Sequence, residues 1–319
     1  MAIFVEMFDA QPNHKTMKRP LGHTILRFLY KVRMRLHPLL PVSDEDYVRM
    51  MFYRDMGYPL DLDNPQTFNE KLQWLKVYNH RPEYTAMVDK VAAKEYVANI
   101  LGPEYIIPTL GVWDSFEEID FDSLPEQFVL KTTHDSKSVV ICTDKSSFNR
   151  VEAGKRLTAS LRRSYYLKYR EWPYKNIRPR ILAEEYMVDE SGTELKDYKF
   201  SCYNGTATDV MLCFDRASGD TKFYFFDPEW RLLRYNRRGK EAPEGFTVPK
   251  PENMEQMFRI AARLSEGVPY LRVDLYNIRG HIYFGELTFF PRSGCDSNLL
   301  RETDLLFGSR ITLPNHKTI

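Results

Sequence analysis

The chain has 319 residues, 45 Lys plus Arg against 44 Asp plus Glu, and 43% hydrophobic side chains, enough apolar mass for roughly two ordinary domains. A formal net charge of +1 gives no whole-chain basic field of the kind that draws a protein onto DNA or RNA. No run reaches the roughly 20 apolar residues of a membrane-spanning helix, and the first residues lack the apolar core of a signal peptide, so the expectation is a globular protein that stays inside the cell.

The first forty residues are basic, with Lys15, Lys18, Arg19, Arg27, Lys31, Arg33 and Arg35 opposed only by Glu6 and Asp9. Within them Ile25, Phe28, Leu29, Val32 and Leu36 recur at helical spacing, while Arg27, Lys31 and Arg35 lie four apart on another face. Such a helix can lie apolar side down on an anionic membrane, or dock the same stripe on the protein's own core. Residues 44–99 read as helices: Ser43 or Asp44 caps one, Asn64 and Pro65 open a second through Phe68, Leu72 and Leu75, and Thr85 leads into a third.

Strand signals follow, short runs rich in β-branched and aromatic residues at 128–131, 139–143, 181–187, 197–203, 209–214, 222–226, 271–276 and 282–287. Helices are expected near 148–169 and 252–266, and a loop at 241–252. Helices first and strands afterwards, with two interrupting helices, indicate an α+β fold. Cys142, Cys202, Cys213 and Cys295 show neither CxxC spacing nor a nearby histidine pair for zinc, and are read as buried thiols.

Four constellations carry candidate chemistry. In LRVDLYNIRGHIYFGELTFFPRSG, Arg272 and Asp274 share one side of a strand and Glu286 and Thr288 lie on the returning strand. The two acids can meet across the hairpin, where a divalent cation or Arg272 would neutralise them. In FVLKTTHDSKSVVIC, Lys131 ends a strand ahead of a polar loop, Thr132 to Ser138, that can hold phosphate oxygens. ILAEEYM is a strand running into acids. Between Arg162 and Arg180 lie seven basic residues, five aromatics and a single acid, Glu171, a mixture suited to acidic sugars or lipid diphosphates, or to a solvated helix face with core aromatics.

In this order and spacing these segments resemble the ATP-grasp fold, and more closely its TupA-like family, associated with teichuronopeptide and polysaccharide biosynthesis. The resemblance begins at PQTFNEKLQWLKVYN, continues through MVDKVAAKEYV, and is most specific at REWPYKNIRPRILAEEYM, LKDYKFSCYNG, LRVDLYN and GELTF. It implies two α+β subdomains gripping ATP, behind a helical N-terminal region: residues 1–84, 85–187 and 188–319. It also implies Lys90 and Lys131 on the phosphates, Glu184 toward the adenine amino group, and the backbones of Glu185 and Met187 at the adenine edge. Asp274, Glu286 and Thr288 would hold Mg2+, and Arg272 would lie beside the transferred phosphate. The sequence departs from the family in a glycine-poor covering loop, in Thr288 where asparagine is common, and in Arg292 where glycine is usual.

The implied activity is ATP-dependent carboxylate–amine ligation in surface polysaccharide synthesis, with a uronic acid activated as an acylphosphate and attacked by an amine or amino acid. The implied partners are an acidic glycan or lipid-linked sugar and that amine. The implied place is the cytoplasm, with residues 21–40 in peripheral contact with the inner face of the plasma membrane. Alternatives are a glycosyltransferase, using the Asp-x-Asp pairs Asp61/Asp63 or Asp120/Asp122, a kinase on the same machinery, or a non-catalytic glycan- or nucleotide-binding relative.

Overall fold

The computed structural model describes residues 21–36, 41–136, 138–189, 195–214 and 222–318; Lys15, Lys18, Arg19 and Lys137 lie outside them. The chain divides into two compact units, Met1–Pro59 and Leu60–Ile319.

In the first unit, α1 (Leu21–Arg35) pairs with α2 (Asp44–Met56). Ser43 caps α2, its Oγ accepting from the Asp46 amide at 3.0 Å, and Gly57 closes it in the left-handed conformation, φ 87°. Packing uses one side of α1, where Tyr30 meets Tyr53 edge-on at 5.6 Å and Met34 is buried. Ile25, Phe28, Leu29, Val32 and Leu36 stay 38–64% exposed.

The second unit opens with α3 (Phe68–Tyr78), α4 (Glu83–Val88) and α5 (Ala92–Leu101). The start of α3 is set by Thr67, whose side chain and Glu70 form a reciprocal capping box, three residues later than the Asn-Pro signal suggests. The third expected helix is two helices, and Thr85 lies inside the first of them. Between them Asp89 accepts from the amides of Val91 (2.8 Å) and Ala92 (3.4 Å), a side-chain bond that competes with helix continuation and turns Lys90 out of the helical ladder.

One antiparallel sheet follows, in the order β1-β4-β2-β3: β1 (Thr109–Trp113), β2 (Phe128–Thr132), β3 (Val140–Cys142) and β4 (Ile181–Glu185), with α6 (Arg150–Leu161) and α7 (Tyr165–Tyr169) between β3 and β4. Phe128, Leu130, Leu157 and Ile181, all fully buried, centre its core; each contributes roughly 1.5–3 kcal/mol by leaving water. The second sheet is also antiparallel, in the order β10-β9-β5-β6-β7-β8. Its strands are β5 (Asp197–Tyr203), β6 (Thr206–Phe214), β7 (Lys222–Phe226), β8 (Leu232–Leu233), β9 (Tyr270–Ile278) and β10 (His281–Thr288). Helices α8 (Arg237–Glu241), α9 (Met254–Leu264) and α10 (Arg301–Arg310) complete the unit. The apolar face of α9, Met254, Met257, Phe258, Ala261 and Leu264, is buried and contacts β5, β6 and β9. All four cysteines are buried thiols outside any disulfide.

Candidate active site

The first cluster forms where α5 meets the four-stranded sheet. Lys131 on β2 and Glu184 on β4 face the same way on adjacent strands, and Lys131 Nζ donates to Glu184 Oε2. The other carboxylate oxygen accepts from Lys94 Nζ at 2.7 Å, and Lys94 also donates to the Ile107 carbonyl (2.7 Å) and Thr109 Oγ1 (2.9 Å). Glu184 is only 5% exposed. Burial pushes its carboxyl up, but Lys131 and Lys94 outweigh burial and hold it below the ordinary range. Two lysines on one carboxylate leave a net positive charge, which suits phosphate oxygens. Lys94 escaped the sequence reading because nothing in AAKEYV marks it and its carboxylate lies on a distant strand.

The loop after β2 is tied down by Asp135. Its Oδ1 accepts from Thr132 Oγ1 and Ser138 Oγ, both at 2.6 Å, and its Oδ2 from Ser160 Oγ. The hydroxyls and one carboxylate thus fix the segment where a glycine-rich loop would rely on backbone conformation alone. Lys90 joins this loop twice: its amide donates to the Thr133 carbonyl at 3.2 Å and its Nζ to the Asp135 carbonyl. Burial lowers the Lys90 ammonium, Glu286 raises it and Lys131 lowers it, so this lysine senses charges from both sheets.

The second cluster stands on β9, β10 and β5. Strand alternation puts Arg272 and Asp274 on one face. A register shift between Phe284 and Glu286 then leaves Gly285 as the extra residue and sets Glu286 opposite Asp274 and Thr288 opposite Arg272. Glycine is required there, since a Cβ on Gly285 would stand 2.9 Å from the Asp274 carbonyl oxygen. Arg272 donates to both oxygens of Asp274 (2.6 and 2.8 Å), to Glu286 Oε1 (2.9 Å) and to Thr288 Oγ1 (3.1 Å). Lys199 on β5 bridges Asp274 and, at 3.1 Å, Asp197; neither Lys199 nor Asp197 was singled out from sequence.

Two cations against three carboxylates leave this cluster net negative, the complement of the first. Partial withdrawal from water works against the charge on the half-exposed Glu286, yet Arg272, Lys199 and Lys90 hold its carboxyl below the usual range. Burial pushes Asp274 up against the opposing pull of Arg272 and Lys199. The donor set is all oxygen, which fits magnesium. Asp274 is 2% exposed with both oxygens in ion pairs, whereas the Glu286 side chain is 47% exposed and is the more available ligand. Among the described residues no group of three or more His, Cys, Asp or Glu could hold a metal ion, so a cation here would draw its remaining ligands from substrate and water.

Glu185 ends β4 with its side chain exposed and its amide donating to the Pro108 carbonyl at 3.2 Å; Met187 lies two residues beyond, half-buried. In the basic-aromatic stretch, Tyr165 packs against Tyr169 and Tyr174, each pair 4.7 Å apart. Arg178 and Arg180 pair with Asp114 and Asp89.

Two antiparallel sheets, one presenting lysines and the other acids with an arginine, define an α+β protein of the ATP-grasp class. The chain belongs to the TupA-like ATP-grasp family, whose model matches residues 70–312. No curated protein matches it. Similar solved structures include D-alanine–D-alanine ligase from Bacillus anthracis complexed with ATP, at 15% identity and TM-score 0.41, covering 70% of this chain and 64% of that one. The Helicobacter pylori D-alanine–D-alanine ligase is 13% identical with TM-score 0.40, covering 78% and 68%. The ATP-grasp ligase PsnB complexed with minimal precursor, Mg and ADP is 11% identical with TM-score 0.36, covering 69% and 57%. The chain therefore spans less than two thirds of the first of these structures.

Proposed function

We propose that this protein is an ATP-dependent carboxylate–amine ligase of surface polysaccharide biosynthesis, taking a uronic acid of an acidic or lipid-linked glycan as the carboxylate. The observation that supports it is a net-positive lysine cluster on one sheet and a net-negative acid–arginine cluster on the other, with the Lys90 ammonium bonded to the loop after β2 and acted on by the charges of Glu286 and Lys131. In this reading Lys90 and Lys131 hold the phosphates, and Glu184, Glu185 and Met187 border the adenine. Asp274, Glu286 and Thr288 would hold magnesium, which when bound neutralises charge on the phosphates. Arg272, raised well above its usual range by Asp274 and Glu286 despite burial, stays protonated throughout and donates to the phosphoryl group in flight.

A carboxylate oxygen of the acceptor attacks the terminal phosphorus; a phosphorus–oxygen bond forms, the bond to ADP breaks, and an acylphosphate results. The amine then attacks the acyl carbon, loses a proton and expels phosphate.

The Asp-x-Asp pairs lend the glycosyltransferase alternative little support. Asp61 Oδ1 accepts from the amides of Asp63 (2.9 Å) and Asn64 (2.8 Å), and Asp120 Oδ1 from that of Asp122 (3.0 Å), so both pairs shape turns. We also propose that α1 rests on an anionic membrane face. Its apolar stripe is exposed beside Arg27, Lys31 and Arg35, and no helix among the described residues is long and apolar enough to cross a bilayer.

The test is incubation with Mg-ATP, glucuronate-containing oligosaccharides, their lipid-linked forms and hydroxylamine, a small nucleophile that traps an acylphosphate. ADP and hydroxamate appearing together, both lost in Arg272→Ala, support the ligase. A stable phospho-sugar without hydroxamate makes it a kinase, and turnover only with a nucleotide sugar makes it a glycosyltransferase.

A further inference from the structure

Polar side chains crowd the turn that follows β2. Thr132, Thr133, His134 and Ser138 are all buried, as is Ser160 on α6. Buried polar groups of this kind are kept only when partnered, and the partners come from elsewhere in the fold. The Thr133 amide donates to the Arg180 carbonyl at 2.9 Å, and its Oγ1 donates to the Arg178 carbonyl and accepts from the Arg180 amide, both at 3.2 Å. His134 Nε2 stands 3.0 Å from the Arg163 carbonyl. Arg180 in turn pairs at 3.4 Å with Asp89, the residue before Lys90.

Asp135 stands at the centre of this turn. Three hydroxyls donate to its one carboxylate, those of Thr132 at the end of β2, Ser138 beyond the turn and Ser160 on α6, and Ser138 Oγ also accepts from the Thr132 amide at 2.9 Å. Anchoring a side chain at three points fixes the backbone that carries it, and the Asp135 carbonyl is the group that accepts from Lys90 Nζ. The Lys90 amide is bonded to the Thr133 carbonyl at 3.2 Å, so the loop holds this lysine at both its ends. Lysine is a long, rotamer-rich stem, and its ammonium occupies a defined place only where a fixed acceptor receives it.

We propose that Asp135 is a positioning residue, whose knot of hydroxyls sets its own carbonyl and, through it, the Lys90 ammonium at the phosphate end of the nucleotide site. This rests on the reading of Lys90 as a phosphate ligand and gives the glycine-poor loop a task, the placing of a cation. The sign of the effect separates positioning from charge. An acid near phosphates repels them, so on charge alone removing Asp135 would tighten triphosphate binding. If the carboxylate places Lys90, removing it weakens binding despite that relief.

The experiment titrates the full chain by calorimetry with the Mg complex of a non-hydrolysable ATP analogue, beside Asp135→Ala, Asp135→Asn, Lys90→Met and the Lys90→Met/Asp135→Ala double variant. Asparagine keeps an oxygen for Thr132 and Ser138 and offers Ser160 an amide donor, so Asp135→Asn should bind within about 3-fold of wild type, whereas Asp135→Ala should bind about 10-fold more weakly. In the Lys90→Met background the same alanine should change affinity by less than about 3-fold. Should Asp135→Ala fail to fold, Ser160→Ala, which takes away one bond only, reports in its place and should weaken binding about 3-fold. Asp135→Ala or its stand-in binding as tightly as wild type, or Asp135→Asn binding as weakly as Asp135→Ala, would overturn the proposal. So would an alanine effect undiminished in the Lys90→Met background, because a loop damaged in general loses affinity whatever stands at position 90. No binding by the wild type would instead bring down the nucleotide reading itself, and the positioning role with it.

Discussion

Replacing Lys94 by Met tests whether the lysine–glutamate cluster is built as described. Methionine keeps most of the stem and deletes the ammonium. The side chains of Lys94 and Glu184 are 12% and 6% exposed, so water does little to screen the pair. Removing one partner of a buried ion pair costs about 3–5 kcal/mol when the other charge is left alone. Here Lys131 stays on the second oxygen and reduces that loss, while the Ile107 carbonyl and Thr109 hydroxyl lose a donor at about 1 kcal/mol each. The sum is about 2–4 kcal/mol, or roughly 5–15 °C in melting temperature for a unit of this size.

The sign of the pH dependence follows from Glu184, whose folded carboxyl lies below the ordinary 4.5 because Lys131 and Lys94 outweigh burial. A depressed carboxyl contributes stability that is fully present above the unfolded value and is lost as pH falls through the folded one. Urea unfolding should therefore show the full gap between wild type and Lys94→Met at pH 7, closing progressively below about pH 4. A gap under about 1 kcal/mol at neutral pH, or one that widens on acidification, would refute the ion-pair reasoning.

Lys131→Met should lose the thermal stabilisation given by Mg-ATP, whereas Glu286→Gln should retain much of it and lose turnover; equal stabilisation of wild type and Lys131→Met would move the phosphate site elsewhere. Gly308→Ala should destabilise by about 3 kcal/mol or more in urea unfolding, since its Cβ would lie 2.1 Å from the Gln66 carbonyl oxygen and 2.7 Å from the Thr67 carbonyl carbon. Phe28→Glu should abolish salt-sensitive cosedimentation with anionic vesicles, Phe28 being 64% exposed in the apolar stripe; unchanged binding would dismiss the membrane contact.

Most strands were legible because alternation and β-branched runs are local signals, and β2, β4, β5, β7, β9 and β10 fall within a few residues of where those runs lie. The omissions have physical causes. Strand β1 carries Gly111, whose missing side chain leaves room for the Trp113 ring, and glycine reads as a strand breaker. Strand β8 is two residues long, and α10, RETDLLFGSR, lacks an apolar stripe and is fixed instead by packing on α3. Its Asp304 accepts from the Asn69 amide at 3.0 Å and its side-chain amide at 2.9 Å.

The same distinction runs through the candidate site. Alternation along one strand is enough to pair Arg272 with Asp274, and the sequence shows it. Bringing Glu286 and Thr288 onto their face depends on the extra residue at Gly285, because without that bulge Gly285 itself would stand opposite Asp274 and the acid would turn to the other face. A glycine within a strand announces a possible bulge, not its register. Lys94 and Lys199 gave no signal because each acquires its partner from another element: Glu184 on β4 and Asp274 on β9. Charge neutralisation across packed elements has no period, so residues of this kind are found from the distances between side chains, and the number of cations each buried acid needs is the guide to where they are.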